Sequence, residues 1–559
     1  MKKILFFLLL LLCMLSVLNS QDKITKEFIE KKKQVKKTEV NNHWKKIALN
    51  NLEMWFSNNG MSSHNPVTGN AGLTFPKGSG KGLVYADGPI LAGMVGDSVR
   101  LIGSTYRTAL QPGPSIQGVD PDDPQYKIYI IRKDWQELKD GELFMSGPNY
   151  TKSDYERDYK EWQIDMGAPY ELDGTGKKVP KFIGDEQAWY IMNDFDINKS
   201  TAFYGSASCG TEWHTLVWSY NSPETLVNII FKKYTIINKG SHDIENAYLS
   251  CFSDTEIGSP EDDLVGCDTN LNLGYAYNGT DFDAIYGYNS PAIGYIYLQG
   301  PAVKSDKPNE TANWNFGKKS GYKNLDMTSF VFFANSNSYF GNHNWLDPNF
   351  NYEGALDFYN LIEGLGKTDS NPWINEQTGE STRFVFSGDP VTGDGWNSKH
   401  IGDVSITMSS GPFTFAVGDT QEVVFAIVVG QGADRLSSIT VMKEYALIAK
   451  KAYDEYCGTA QTIAVKKPED IPTEYTLSQN YPNPFNPSTI IKYQMPEAAH
   501  ISLKVYDVMG KEVATLVNSF QNSGSYDITF NAKGLASGIY FYKLNANGKQ
   551  FINKMLLMK

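Results

Sequence analysis

Disulfides can hold little of this chain together. It has five cysteines in 559 residues, and one of them, Cys13, lies in an apolar leader. The other four are Cys209, Cys251, Cys267 and Cys457. They permit three connectivities, and the short loop between Cys251 and Cys267 makes that pair the first choice for a bridge in an oxidising compartment. No apolar run long enough to span a bilayer follows the leader, so the mature chain is expected not to be an integral membrane protein. Histidine is also rare: there are seven, and none falls in a His-Glu-x-x-His zinc pattern. Gly78-Ser79-Gly80-Lys81-Gly82 lacks the spacing of a phosphate loop and has no Ser or Thr after its lysine. The run Gly205-Ser206-Ala207-Ser208-Cys209-Gly210, with His214 nearby, does not centre a serine in a nucleophile elbow. A basic excess is missing as well. The formal net charge is −12, and a phosphate backbone would find no attractive face, which excludes nucleic acid as a partner.

What is present is aromatic and turn-forming. The chain has 33 Tyr, 29 Phe, 11 Trp and 49 Gly, a composition of β-strands joined by tight turns. Lys2 and Lys3 precede the apolar stretch from Ile4 to Leu18, followed by Asn19 and Ser20, so residues 1–20 read as a cleaved export signal. Leu12 stands before Cys13 where a lipoprotein signal needs a small residue, which argues against lipidation. Residues 21–55, with Lys31-Lys32-Lys33 and Lys36-Lys37, read as a polar helical segment with a solvated face.

Residues 56–457 then form a β-rich body. Its clearest strands are Leu226 to Ile237 and Glu422 to Val429, and it ends in a helix over 437–456. Ser437 or Ser438 is the expected cap, and Ile439, Met442, Ala446, Ala449, Ala452, Tyr453 and Tyr456 fall on one face. Residues 458–473, with Lys466-Lys467-Pro468 and Ile471-Pro472, have the composition of a linker.

Beyond it the pattern sharpens. Three prolines in Tyr481-Pro482-Asn483-Pro484-Phe485-Asn486-Pro487 cannot donate to a ladder and must be a lead-in or an edge. Ile501, Leu503 and Val505 alternate with Ser502, Lys504 and Tyr506, which sets one buried and one wet face. Short strands follow, with turns at Met509-Gly510-Lys511, Ser523-Gly524, Ser537-Gly538 and Asn547-Gly548. The fold class is therefore mainly β: a large β-sandwich-like body with few helices, plus a small C-terminal Ig-like antiparallel β-sandwich at 474–559. Residues 473–559 hold eight Lys against five acidic residues, a net of +3. With that tail and the two leader lysines set aside, 41 basic residues face 58 acidic ones, a net of −17.

The proline-rich lead-in, Val505-Tyr506-Asp507-Val508-Met509-Gly510-Lys511, Leu535-Ala536-Ser537-Gly538-Ile539-Tyr540 and the end Lys554-Met555-Leu556-Leu557-Met558-Lys559 resemble the type A C-terminal sorting domain of the type IX secretion system. The resemblance covers the whole of 474–559. It implies docking to the type IX machinery, passage through the outer membrane and a secreted or cell-surface location. The body resembles exported bacterial proteins without an assigned activity, through Gly266-Cys267-Asp268 and Ser387-Gly388-Asp389-Pro390, and that likeness names no catalytic residue.

Within the body, Asp254, Glu256, Asp262, Asp263 and Asp268 crowd into fifteen residues. Such carboxylates repel unless solvent or a cation screens them, and oxygen ligands with a glycine turn suit calcium as a fold-stabilising ion, the one cofactor expected. Trp396 could stack on a sugar, and Asp389 with Asp394 could form an acid pair for glycoside hydrolysis. The preferred reading is a non-enzymatic binding or matrix protein whose partner is a polysaccharide or other cell-surface polymer. The alternatives are a secreted polysaccharide-active enzyme (glycoside hydrolase or lyase) and a structural surface-layer or filament subunit.

Overall fold

The computed structural model describes residues 44–116, 118–147, 150–307, 309–334, 345–399, 401–458, 474–496, 499–521 and 524–558. The leader, most of the segment expected to be a polar helix and the expected linker lie outside them. The chain divides into two units, Met1–Ile463 and Ala464–Lys559.

The first unit is a sandwich of two antiparallel sheets. One, of eight strands, runs in the order Trp44–Ile47, Glu53–Ser57, Leu73–Thr74, Gly82–Val95, Ile244–Thr255, Val404–Phe415 and Ser329–Ala334, with Ser98–Gly103 also paired to Gly82–Val95. The other, of nine, runs Asp263–Asp268, Leu273–Asn278, Ala292–Gln299, Thr420–Gly430, Ile229–Asn238, Thr211–Ser219, Glu186–Asn193 and Gln111–Pro112, with Tyr129–Arg132 also on Glu186–Asn193. The expected helix up to residue 55 is corrected here: residues 44–57 form two paired strands. Ile47, Met54 and Phe56 are fully buried in the common core, so packing overrides the polar character of the residues upstream. The expected strand from Leu226 begins instead at Ile229, because Glu224–Leu226 closes a short 3-10 turn first.

Side chains alternate across the nine-stranded sheet, and its inner face supplies Tyr190, Trp213, Tyr234, Phe425 and Ile427 to the core. One polar pin crosses that core. Lys232 points inward and pairs with Asp87 of the facing sheet, both almost without exposure. Asp87 Oδ2 also accepts from Ser63 Oγ at 2.8 Å and Tyr295 Oη at 3.0 Å. Desolvating both charges is tolerable only because each is paired and hydrogen-bonded.

The outer face of the same sheet is half covered by the helix Arg435–Gly458, which packs on Leu273–Asn278, Ala292–Gln299 and Thr420–Gly430. Its apolar side, with Ile439, Met442, Ala446 and Ala449 fully buried, is the one its spacing predicts. Its cap differs: Asp434 Oδ1 accepts from the amides of Leu436 and Ser437, while the Ser438 hydroxyl donates to Ser290. A carboxylate at that end satisfies orphan amides and meets the positive end of the helix dipole. No helix of the described residues is long and apolar enough to cross a membrane.

The second unit is a small sandwich. Thr476–Leu477, Ser488–Met495 and Gly524–Asn531 form one sheet, and Glu512–Gln521, Ala499–Tyr506, Gly538–Ala546 and Lys549–Leu557 form the other. Its own core contains Ile491, Tyr493, Ile501, Leu503, Val505, Tyr542 and Leu544.

Candidate binding cleft

The half of the outer face that the helix leaves open is a cleft of about 530 Å³. Its floor follows from strand register. Trp189, Leu216 and Lys233 share one rung, and His214, Thr235 and Glu422 share another. Lys233 is the neighbour of inward-facing Lys232, and the alternation of the strand sends the two lysines to opposite faces. The roof is loop 164–170 and the tip of the hairpin formed by Thr311–Trp314 and Gly317–Ser320.

Both roof pieces are tied to the floor. Gly167, at φ 103°, lies so close to His214 that an added Cβ would stand 2.6 Å from the imidazole Nδ1, so both the conformation and the space require glycine. At the hairpin tip Asn315 and Phe316 both have positive φ, 46° and 58°. Left-handed backbone is costly for phenylalanine and persists only where the surroundings over-determine it. Here Lys233 Nζ sits 4.5 Å from the centre of the Phe316 ring, and Trp218 and Tyr456 meet its edges. The Asn315 amide donates to Glu422 Oε2 at 2.7 Å.

Glu422 is fully engaged. Besides Asn315 it accepts from Lys233 at 2.6 Å and from Gln299 at 3.3 Å. Glu212, on the same face as His214, accepts from His214 Nε2 at 2.9 Å, Lys239 Nζ at 2.7 Å and the Ser115 amide at 2.8 Å. Burial alone would lift its carboxyl, but those three donors outweigh burial and draw it from 4.5 down to about 2. The aromatic surface comes from Tyr170, which is 45% exposed, and from half-buried Trp314. Trp189 is buried against His214.

None of the site residues expected from sequence lies in this cleft. The five acidic residues divide into three groups. Asp254 and Glu256 converge with Asp403, their ligand oxygens all within 4.8 Å of one another. Asp262 and Asp263 stand at the start of the Asp263–Asp268 strand. Asp268 pairs instead with Lys443 of the long helix at 3.0 Å. Asp389 and Asp394 are backbone partners across one tight turn, the Asp389 amide donating to the Asp394 carbonyl at 2.7 Å. Trp396 is buried edge-on to Phe386. The four described cysteines are all free thiols. The expected Cys251–Cys267 bridge is therefore corrected: the two sit on strands of different sheets, where the Cys251 Sγ turns to the Phe252 carbonyl and the Cys267 Sγ to the Val385 carbonyl. The signal that could have found the cleft is the pair Glu212-x-His214 on an aromatic strand followed by adjacent Lys232 and Lys233 on the next.

Curated proteins give no match to the chain. Among solved structures, a polysaccharide lyase shares 9% identity over 84% of this chain and 47% of its own, with a TM-score of 0.19. PorZ, titled an essential bacterial surface component of the type-IX secretion system of Porphyromonas gingivalis, shares 12% over 70% of this chain and 44% of its own, with a TM-score of 0.14. The chain spans less than half the length of either, and superpositions this loose carry no argument about the body. The family of the secretion system C-terminal sorting domain matches residues 479–558. The tail is therefore a type IX sorting domain, and the protein is one exported through the outer membrane to the cell surface or the medium.

Proposed function

We propose that the body is a non-enzymatic binding module that holds a polysaccharide chain in the cleft on the outer face of its nine-stranded sheet. The observation that carries this reading is a cleft lined by the partly exposed rings of Tyr170 and Trp314, whose own carboxylate, Glu422, and the neighbouring Glu212 on the same face are both already engaged. Glycoside hydrolysis needs one protonated acid and one free carboxylate. Glu212 is held ionised by three donors, and Glu422 is a clamp for the hairpin tip. Tyr170 and Trp314 each carry a lysine ammonium over one face, Lys178 at 4.6 Å and Lys319 at 4.2 Å, and the opposite face of each ring is the surface offered to a sugar. One observation favours a second reading. His214 lines the cleft with its Nε2 on Glu212, and a base held by a carboxylate is one requirement of β-elimination of an acidic polysaccharide, although Lys233 beside it is already paired with Glu422.

A panel of soluble and insoluble polysaccharides, scored for retention and for released ends, separates these readings. Binding predicts retention by at least one member with no reducing or unsaturated ends released. Tyr170→Ala with Trp314→Ala should then weaken retention about tenfold at an unchanged melting temperature. Release of unsaturated ends, abolished by His214→Gln, would establish the lyase instead. Ordered assembly with no retention on any polymer would leave a structural subunit.

A further inference from the structure

Where the chain crosses from the eight-stranded sheet to the nine-stranded one, three buried oxygens lack a donor. Asp263 opens the edge strand Asp263–Asp268 and stands directly opposite Asn278 in the ladder, so both side chains share one face. Both are fully buried. Asp263 Oδ2 accepts from the Ile257 amide at 2.9 Å, and Asn278 Nδ2 donates to the Thr280 carbonyl at 2.7 Å. Among the described residues no donor reaches Asp263 Oδ1, Asn278 Oδ1 or Asp262 Oδ1. The main chain joins Asp262 to the same rung, the Gly279 amide, next to Asn278, donating to the Asp262 carbonyl at 2.5 Å. Asp283, also fully buried, adds charge nearby while its own oxygens take the amides of Ser259, Ile285 and Tyr286. None of the described ion pairs engages Asp262, Asp263 or Asp283.

Orphaned buried acceptors are rare and costly; water can bond to them, but a buried carboxylate with no cationic partner also needs its charge offset, by a proton or by a cation. A proton on Asp263 would leave the Asp262 oxygen unanswered. A cation answers all three. We infer that Asp262, Asp263 and Asn278 bind a divalent hard cation of the calcium type, which pins the crossover to the edge of the nine-stranded sheet. Two carboxylates and an amide oxygen match both its charge and its preference for oxygen, and water completes its coordination.

The test uses the full chain, stripped with chelator and titrated with calcium chloride by calorimetry and thermal unfolding. Calcium should bind and raise the melting temperature of the body by at least about 3 °C. Asp263→Asn should abolish the shift, and the milder Asp262→Asn should weaken calcium binding at least tenfold. The double change Glu256→Gln with Asp403→Asn should leave both intact. No binding and no shift in the unaltered chain overturns the site. So does a shift that survives Asp263→Asn, or one lost in the Glu256, Asp403 variant, which would move the ion to the neighbouring group with Asp254. Should Asp263→Asn fail to fold, the unaltered chain and Asp262→Asn still decide.

Discussion

Body and tail are both antiparallel sandwiches, yet they stand in opposite relations to their sequences. In the tail, Ser488–Met495 and Ala499–Tyr506 alternate buried and open residues along their length, because one face of each sheet packs inward and the other meets water. In the body, Glu186–Asn193 is buried at every position, and Thr420–Gly430 at all but its first. The inner face is covered by the opposing sheet, and the outer face by a helix and by loops that roof a cleft. The lesson is that a second covered face both erases the period-two signal and provides the space in which a site can form.

The sharpest way to break this comparison is at the polar pin of the body, which has no counterpart among the described core residues of the tail. Lys232→Met removes the cation and leaves Asp87 buried with hydroxyl donors alone. It should cost about 3–5 kcal/mol, seen as a large fall in the body transition while the tail transition stays in place. Adding Asp87→Leu should recover part of the loss, since an apolar pair is often tolerated where a half-pair is not. A body transition unmoved by Lys232→Met would mean that the charge is not desolvated as its burial implies.

A smaller effect comes from Glu212, beside the cleft. Glu212 has a lower pKa in the folded chain than its ordinary 4.5, so the unfolded chain binds the proton more tightly. Its contribution is present in full above about pH 4.5 and is lost as pH falls toward about 2, amounting to roughly 2–3 kcal/mol. Glu212→Gln should flatten the acid limb of the body melting curve between those values and leave the tail limb unchanged. An identical acid limb in the variant would show that His214 and Lys239 do not hold this carboxylate in solution.

Legibility followed the same divide. The tail could be read strand by strand, because Ile501, Leu503 and Val505 alternate with polar neighbours and Gly510 and Gly548 mark turns at positive φ. In the body the long helix and the strands around Ile229 and Val424 were legible from apolar density, to within a few residues. The cleft was not. Trp189, His214, Lys233, Trp314 and Glu422 span more than two hundred residues of sequence and meet only through strand register and one hairpin tip. The acidic run was visible as a charge cluster, but its members face different partners. Sequence proximity cannot say that Asp268 turns to Lys443, or that Asp254 and Glu256 turn to Asp403.

The smallest expected effect sharpens the comparison from the side of the tail. Tyr542 is fully buried on the Gly538–Ala546 strand, and its hydroxyl donates to the Ser478 carbonyl at 2.7 Å and accepts from the Asn480 amide at 2.8 Å. These two bonds fasten the lead-in, just before its run of prolines, to the small sandwich. Tyr542→Phe keeps the ring and leaves one amide and one carbonyl without their partner, a cost of about 1–2 kcal/mol. In a unit of this size that lowers the tail transition by several degrees and leaves the body transition where it was. If both transitions moved together, the two units would not unfold independently, and the contrast between them would have to be redrawn as one cooperative structure.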